Sequence, residues 1–355
     1  MRVKWKRYIN YSDSYETKNI IFGLPKGTSL YDGCADALAS SFWSGLWYFP
    51  FYVELPHDAL YWHFLCHIWS FASACFYPPH QSGKWLRKRL VKVIVPALFW
   101  TFFYLIISGK IWAASLCENL VTFFSIPFSV QGHGILWFMY TLVGLYILAP
   151  VISPWLEKAD EKALRYYLLL WLVTLCYPYL DKMLEVNNST NGTLYYFSGY
   201  AGYFVLGYYL HRFGSGMKWR LVVPLYIIAL LVPVVVKMLR LEVDFYEMFW
   251  YLSIFGPMML LFWWKVGLQI NSYMKESQKM TKAIAMVSNL SFGIYLVHIF
   301  VMRWGLDNWK LIQEIDNYSM QTFVIFILTM LISIVICYLI ALMPIGNYVI
   351  GYKRK

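Results

Sequence analysis

An all-α integral membrane protein, a bundle of about ten transmembrane helices with both termini cytoplasmic, is the fold class that three features of the sequence predict. The first is composition. Of 355 residues, 60% are hydrophobic and 20% aromatic, and only 14% are charged, far from the balance of a soluble domain. The second is spacing. From Leu90 onward, apolar segments follow one another at about 90–108, 134–154, 163–180, 194–211, 221–238, 246–264, 283–302 and 321–345. Each approaches the ~20 residues that a helix needs to cross ~30 Å of hydrocarbon. The third is the placement of charge.

Alternate loops divide the cations unequally. One set holds the cluster Lys84 to Lys92, then Lys158, Lys162 and Arg165, then Arg212, Lys218 and Arg220, then Lys265 to Lys282, and finally Lys353, Arg354 and Lys355. The other set holds Lys110, Lys182, Lys237, Arg240, Arg303 and Lys310, so the first outnumbers the second three to one. Cytoplasmic loops are the positive ones, which places the first set and the C-terminus inside. Arg2, Lys4, Lys6 and Arg7 place the N-terminus inside as well. An even number of spans must then precede Lys84, and two weak candidates exist, at about 36–53 and 59–78. Net charge is +11, but it is dispersed among short loops, which argues for topology and against nucleic acid as a partner.

The remaining features bound the chain further. Leu120 to Val130, interrupted by Pro127, is too short to span and reads as re-entrant or interfacial. The six cysteines are scattered, with no zinc-ligand spacing and no disulfide framework, and no cleavable signal peptide is expected. Residues 23–83 hold His57, His63, His67 and His80, with prolines at 25, 50, 56, 78 and 79 that interrupt every apolar run. Three regions follow: an atypical N-terminal stretch over 1–82, a transmembrane domain over 83–350 and a basic cytoplasmic tail over 351–355.

Polar residues inside apolar segments are where chemistry is to be sought, because lipid cannot satisfy them. Ser288, Ser291, Tyr295 and His298 fall at i, i+3, i+7 and i+10 on one helical face. This stripe faces either other helices or a water-filled cavity; His298 is a packing residue in the first case and a site residue in the second. At the cytoplasmic mouth of the first strong span, Arg87, Arg89 and Lys92 form either a phosphate clamp or a flank that binds anionic lipid head groups. His133 lies at the start of the segment containing Trp137 and Tyr140, as a solvated cap or as a proton carrier. Gly199, Gly202 and Gly207 make a face suited to close helix packing. No metal motif, Walker loop, nucleophile elbow or dinucleotide fingerprint is present.

Four stretches, KRLVKVIVPALFW at 88–100, LWFMYTLVGLYILAPVI at 136–152, GYFVLGYYL at 202–210 and SNLSFGIYLVH at 288–298, together resemble the membrane acyltransferase type 3 family of bacterial ten-helix O-acyltransferases. The resemblance implies an acyl donor, usually acetyl-CoA, taken from the cytoplasm. It implies transfer to a hydroxyl of a cell-envelope polysaccharide or its lipid-linked sugar precursor, in the bacterial cytoplasmic membrane, with no metal. The family's Arg-x-x-Arg falls on Arg89 and Lys92, so that the second Arg is Lys here, and its small-aromatic-His run falls on Ser291, Phe292, Gly293, Tyr295 and His298. Members also carry, in the first helix, an Arg followed about eleven residues later by a His, which the resemblance implies is the acid/base of transfer. No Arg lies between Arg7 and Arg87, so this pair has no counterpart.

The likeness begins near Ser82, and residues 23–83 are expected to derive from a shifted reading frame; a divergent or inactive member is the rival. The expected mechanism has Arg87, Arg89 and Lys92 hold CoA while a neutral His takes the proton of the attacking hydroxyl; His298 is either that base or a wall of the tunnel. Ser291, Tyr295, His133 and Trp137 would line the substrate path. A transporter or flippase of lipid-linked glycans is the alternative from another class; it predicts internal repeats, which are not evident in the sequence.

Overall fold

A computed structural model describes residues 82–109, 115–128, 136–184, 193–239, 249, 252–274, 278–306, 309–315 and 318–352. The weak candidate spans at 36–53 and 59–78, the histidines at 57, 63, 67 and 80, and His133 lie outside them. All regular secondary structure among the described residues is helical. The elements are α1 (Ser82–Ile107), α2 (Leu116–Ser125), α3 (Trp137–Lys158), α4 (Glu161–Thr174), α5 (Tyr177–Leu184), α6 (Ala201–Phe213), α7 (Trp219–Met238), α8 (Phe255–Met274), α9 (Gln278–Phe300), α10 (Lys310–Gln313), α11 (Tyr318–Leu342) and α12 (Gly346–Val349).

Among the described residues, five stretches are long and apolar enough to cross a membrane: Arg89–Ile107, Trp137–Lys158, Glu161–Leu180, Trp219–Val236 and Phe323–Leu342. Each expected apolar segment meets a helix, but three depart from the expected outline. The third keeps a spanning length over Glu161–Leu180 but is interrupted within it: α4 ends at Thr174, and Pro178, which cannot donate a main-chain hydrogen bond, sits in the first turn of α5. The fourth is shortened to the 13 residues of α6, because Tyr195–Phe197 forms a separate 3-10 turn and Gly199 takes φ +88° between them. The sixth is displaced. Expected over 246–264, it runs as α8 from Phe255 to Met274, with Pro257 in its first turn. Leu120 to Val130 meets α2, a ten-residue helix with no buried residue, too short to span.

The chain divides into two compact units, one containing 158–289 and the other 77–157 with 290–355. In the first unit, α4 and α6 meet where Gly202 leaves room for the indole of Trp171, which is fully buried. Trp171 donates its Nε1–H to the Gly199 carbonyl at 3.0 Å and meets the Tyr203 ring edge-to-face at 4.7 Å. Helices α7 and α8 join through Tyr226 and Phe262, stacked with centroids 3.7 Å apart. Trp171 supplies the surface and Gly202 the depth of this packing, so the glycine face expected from the sequence is used at Gly202.

In the second unit, the chain folds back after α11. Residues 346–352 pack on α1 and on the last turns of α9. Trp100 of α1 donates its Nε1–H to the Val349 carbonyl at 2.9 Å. Gly351 takes φ +69°, and a Cβ there would lie 2.9 Å from the ring of Phe292 and 3.2 Å from the Lys92 carbonyl. A side chain at this position would be both strained and obstructed.

Candidate active site

Every described residue of the expected site falls in this second unit, which contains Arg87, Arg89, Lys92, Trp137, Ser291, Tyr295 and His298. His133, expected on the substrate path, lies outside the described residues. The polar stripe lies on α9, and its burial is graded: Ser291 is partly exposed, whereas Tyr295 and His298 are each 4% exposed. Gly293 points to the other side of the helix, where a Cβ would lie 2.8 Å from Ile350 and 3.1 Å from the Cys337 sulfur. The same helix therefore uses its smooth side for packing on α11 and the C-terminal turn, and its polar side elsewhere.

On the polar side, Tyr295 meets Phe138 of α3 edge-to-face at 5.8 Å, and Phe138 in turn packs edge-to-face on Trp137 at 5.9 Å. Trp137 is thus joined to Tyr295 through Phe138, a residue to which the sequence gives no functional signal beyond being aromatic. Tyr295 and His298 have ring centroids 5.6 Å apart.

His298 Nδ1 lies 2.6 Å from the Tyr295 carbonyl oxygen. A carbonyl can only accept, so Nδ1 must carry the proton and donate it. In the neutral ring the lone pair then resides on Nε2, which is buried. Helical geometry places the i−3 carbonyl within reach, and the spare lone pair of that carbonyl allows it to serve both helix and imidazole. The arrangement fixes one tautomer of His298 and makes Nε2 the basic nitrogen.

The cations at the start of α1 do not share one environment. Arg87 is exposed, Lys92 is half-buried and Arg89 is 6% exposed, with its Nε buried. Arg87 and Arg89 lie two residues apart, about 200° around the helix, and so project to opposite sides. Arg89 and Lys92 lie three apart on neighbouring faces. The Lys92 backbone meets Gly351, and Gly351 meets Phe292 next to Ser291, so the C-terminal turn joins the cationic mouth of α1 to the small-aromatic run of α9. The sequence contains this glycine but offers no sign of its destination.

Comparison with curated proteins and with solved structures gives no match. A family model described as an acyltransferase domain matches residues 63–342, well over half of the chain. The match spans α1 through α11 and takes in Arg89, Lys92, Tyr295 and His298. It also extends upstream of Ser82, where the sequence placed the start of the likeness, so family character begins at least as early as residue 63. The chain belongs to the membrane acyltransferase 3 family.

Proposed function

We propose that the protein transfers an acyl group, most simply acetyl, from acyl-CoA to a hydroxyl of an envelope polysaccharide or its lipid-linked precursor, in the bacterial cytoplasmic membrane. Acyl transfer itself follows from the family; donor, acceptor and membrane are our reading. The observation that carries it is the hydrogen bond between His298 Nδ1 and the Tyr295 carbonyl, 2.6 Å long, which leaves Nε2 as a base inside an apolar helix.

In this reading the cationic start of α1 binds the CoA phosphates. Arg89, held in a buried position, would provide a fixed charge, and Arg87 and Lys92 more mobile ones. Ser291, Tyr295, Trp137 and His133 would line the path of the reacting groups. The sugar hydroxyl attacks the thioester carbonyl carbon and passes its proton to His298 Nε2. The C–O bond forms, the C–S bond breaks, and the proton moves to the departing CoA thiolate. General-base assistance of this kind contributes about 10²–10⁴ in rate.

Mass spectrometry of envelope glycans from a deletion strain tests the function. The expected result is an acetyl ester missing from otherwise normal glycan, restored by the wild-type gene. An accumulated unmodified precursor would instead indicate a flippase, and an unchanged glycan an inactive chain. The missing first-helix Arg and His bear on the same question. With residues 23–83 read from a shifted frame, one of the other two frames of the underlying DNA should encode an apolar segment bearing Arg and a following His; if neither does, the frame-shift idea fails.

A further inference from the structure

Resting on the proposed role of His298, we propose that Tyr104 is a positioning residue for that histidine. The Tyr104 hydroxyl donates to the Leu296 carbonyl at 2.7 Å and accepts from the Phe300 amide at 3.2 Å. Those two groups are partners i and i+4 of one helical turn. A single side chain of α1 thus engages both members of a backbone pair in α9, and His298 is the middle residue of the span that they enclose. Immediately beyond, residues 301–305 leave α-helical geometry and wind as a π turn, with the Leu306 amide donating to both the Met302 and the Val301 carbonyls. Side chains that enter a helix ladder, and π turns beside them, are recognised causes of local helix distortion, and π turns are frequent at functional sites.

The hydroxyl is held firmly. Tyr104 is 4% exposed, and its ring lies 5.7 Å from Trp100 and 5.9 Å from Trp304. Phe103, next to it, meets Phe300 edge-to-face at 5.2 Å. The Phe103–Phe300 contact joins α1 to α9 and the Tyr104–Trp304 contact joins α1 to the π turn, and neither involves the oxygen. What the oxygen adds is a fixed height and rotation for the turn from Leu296 to Phe300, and hence for the imidazole and its Nδ1 hydrogen bond to the Tyr295 carbonyl. Apolar packing fixes a rotation only loosely, whereas two short polar contacts to one atom fix it closely. The chemical class of the role is therefore orientation of a general base through the main chain, with no contact between Tyr104 and substrate.

Tyr104→Phe removes only the hydroxyl, and four proteins test the idea: wild type, Tyr104→Phe, His298→Ala and the double variant. Reconstituted in nanodiscs with acetyl-CoA, Tyr104→Phe should lower kcat by about tenfold, a modest share of the ~10²-fold that a 1 Å misplacement costs. KM for acetyl-CoA should be unchanged. In the His298→Ala background the same change should add nothing. Independently of activity, 15N-histidine NMR, with the His298 signal identified by its loss in His298→Ala, should show one tautomer in wild type and a mixture in Tyr104→Phe. Unchanged His298 resonances in Tyr104→Phe overturn the proposal, as does a kcat loss that persists in full without His298. Absence of transfer by wild type would defeat the proposed function instead, and the resonances would still decide whether Tyr104 orients His298.

Discussion

A buried histidine acts as a base only if one ring nitrogen keeps its lone pair, and in α9 a main-chain carbonyl three residues back ensures this. The spacing of Ser291, Tyr295 and His298 was legible because it depends on helical period alone. The tautomer was not, since it depends on a rotamer that no pattern encodes. The cationic mouth shows the same limit. Its charges are evident in the sequence, but the burial of Arg89 beside an exposed Arg87 arises only on folding. Lys92 supplies a residue-scale prediction. If it binds phosphate as a point charge, Lys92→Arg should leave KM for acetyl-CoA within about twofold, while Lys92→Gln should raise it about tenfold, the factor that 1.4 kcal/mol produces. Steady-state kinetics in proteoliposomes measures both; equal effects of Arg and Gln would exclude a charge-based role.

Helix packing can be probed at single glycines. Gly202→Ala would drive a methyl group into the buried indole of Trp171, and overpacking of this kind costs about 1–3 kcal/mol. Thermal unfolding in detergent should show a lower midpoint for Gly202→Ala than for Gly216→Ala, whose Cβ would meet nothing within 4 Å. Equal midpoints would refute the packing account. The glycine was visible in the sequence, whereas Trp171, 31 residues earlier in the chain, could not be paired with it from local pattern.

Helix α2 offers a pH-dependent test. Ser115 caps it, with its main-chain N–H donating to Glu118 at 2.8 Å and its hydroxyl at 3.0 Å, which together hold the Glu118 carboxyl below its ordinary range. A lowered folded pKa means that this stabilisation is complete above the ordinary glutamate value of about 4.3 and declines as pH falls through the folded value. Hydrogen exchange of residues 115–125 should therefore quicken, relative to the rest of the protein, as the medium is acidified below that range. Glu118→Gln should remove the pH dependence; if it persists unchanged, another group is responsible.

Over the whole molecule, runs of apolar residues located the helices because hydrophobicity is a local property, and loop charge supplied an expected orientation. Their interruptions required the prolines and glycines to be weighed more heavily: Pro178 interrupts one expected span, Gly199 precedes a shortened helix, and Pro257 lies in the first turn of a displaced one. The return of residues 346–352 to α1 was not legible at all, since MPIGNYVIGYK reads locally as the end of a span followed by a tail. Trp100→Phe, which deletes the hydrogen bond to Val349, should lower stability by about 0.5–1.5 kcal/mol. It should also raise protease access to the C-terminal turn, as followed by limited proteolysis.

The central claim is that His298 is the base of acyl transfer, and one measurement addresses it directly: the initial rate of [14C]acetyl transfer from acetyl-CoA to envelope glycan in membranes containing equal amounts of wild type, His298→Ala or His298→Gln. The expected result is a loss of about 10²–10⁴ in kcat for both variants with little change in KM. Transfer by His298→Ala at the wild-type rate would contradict it.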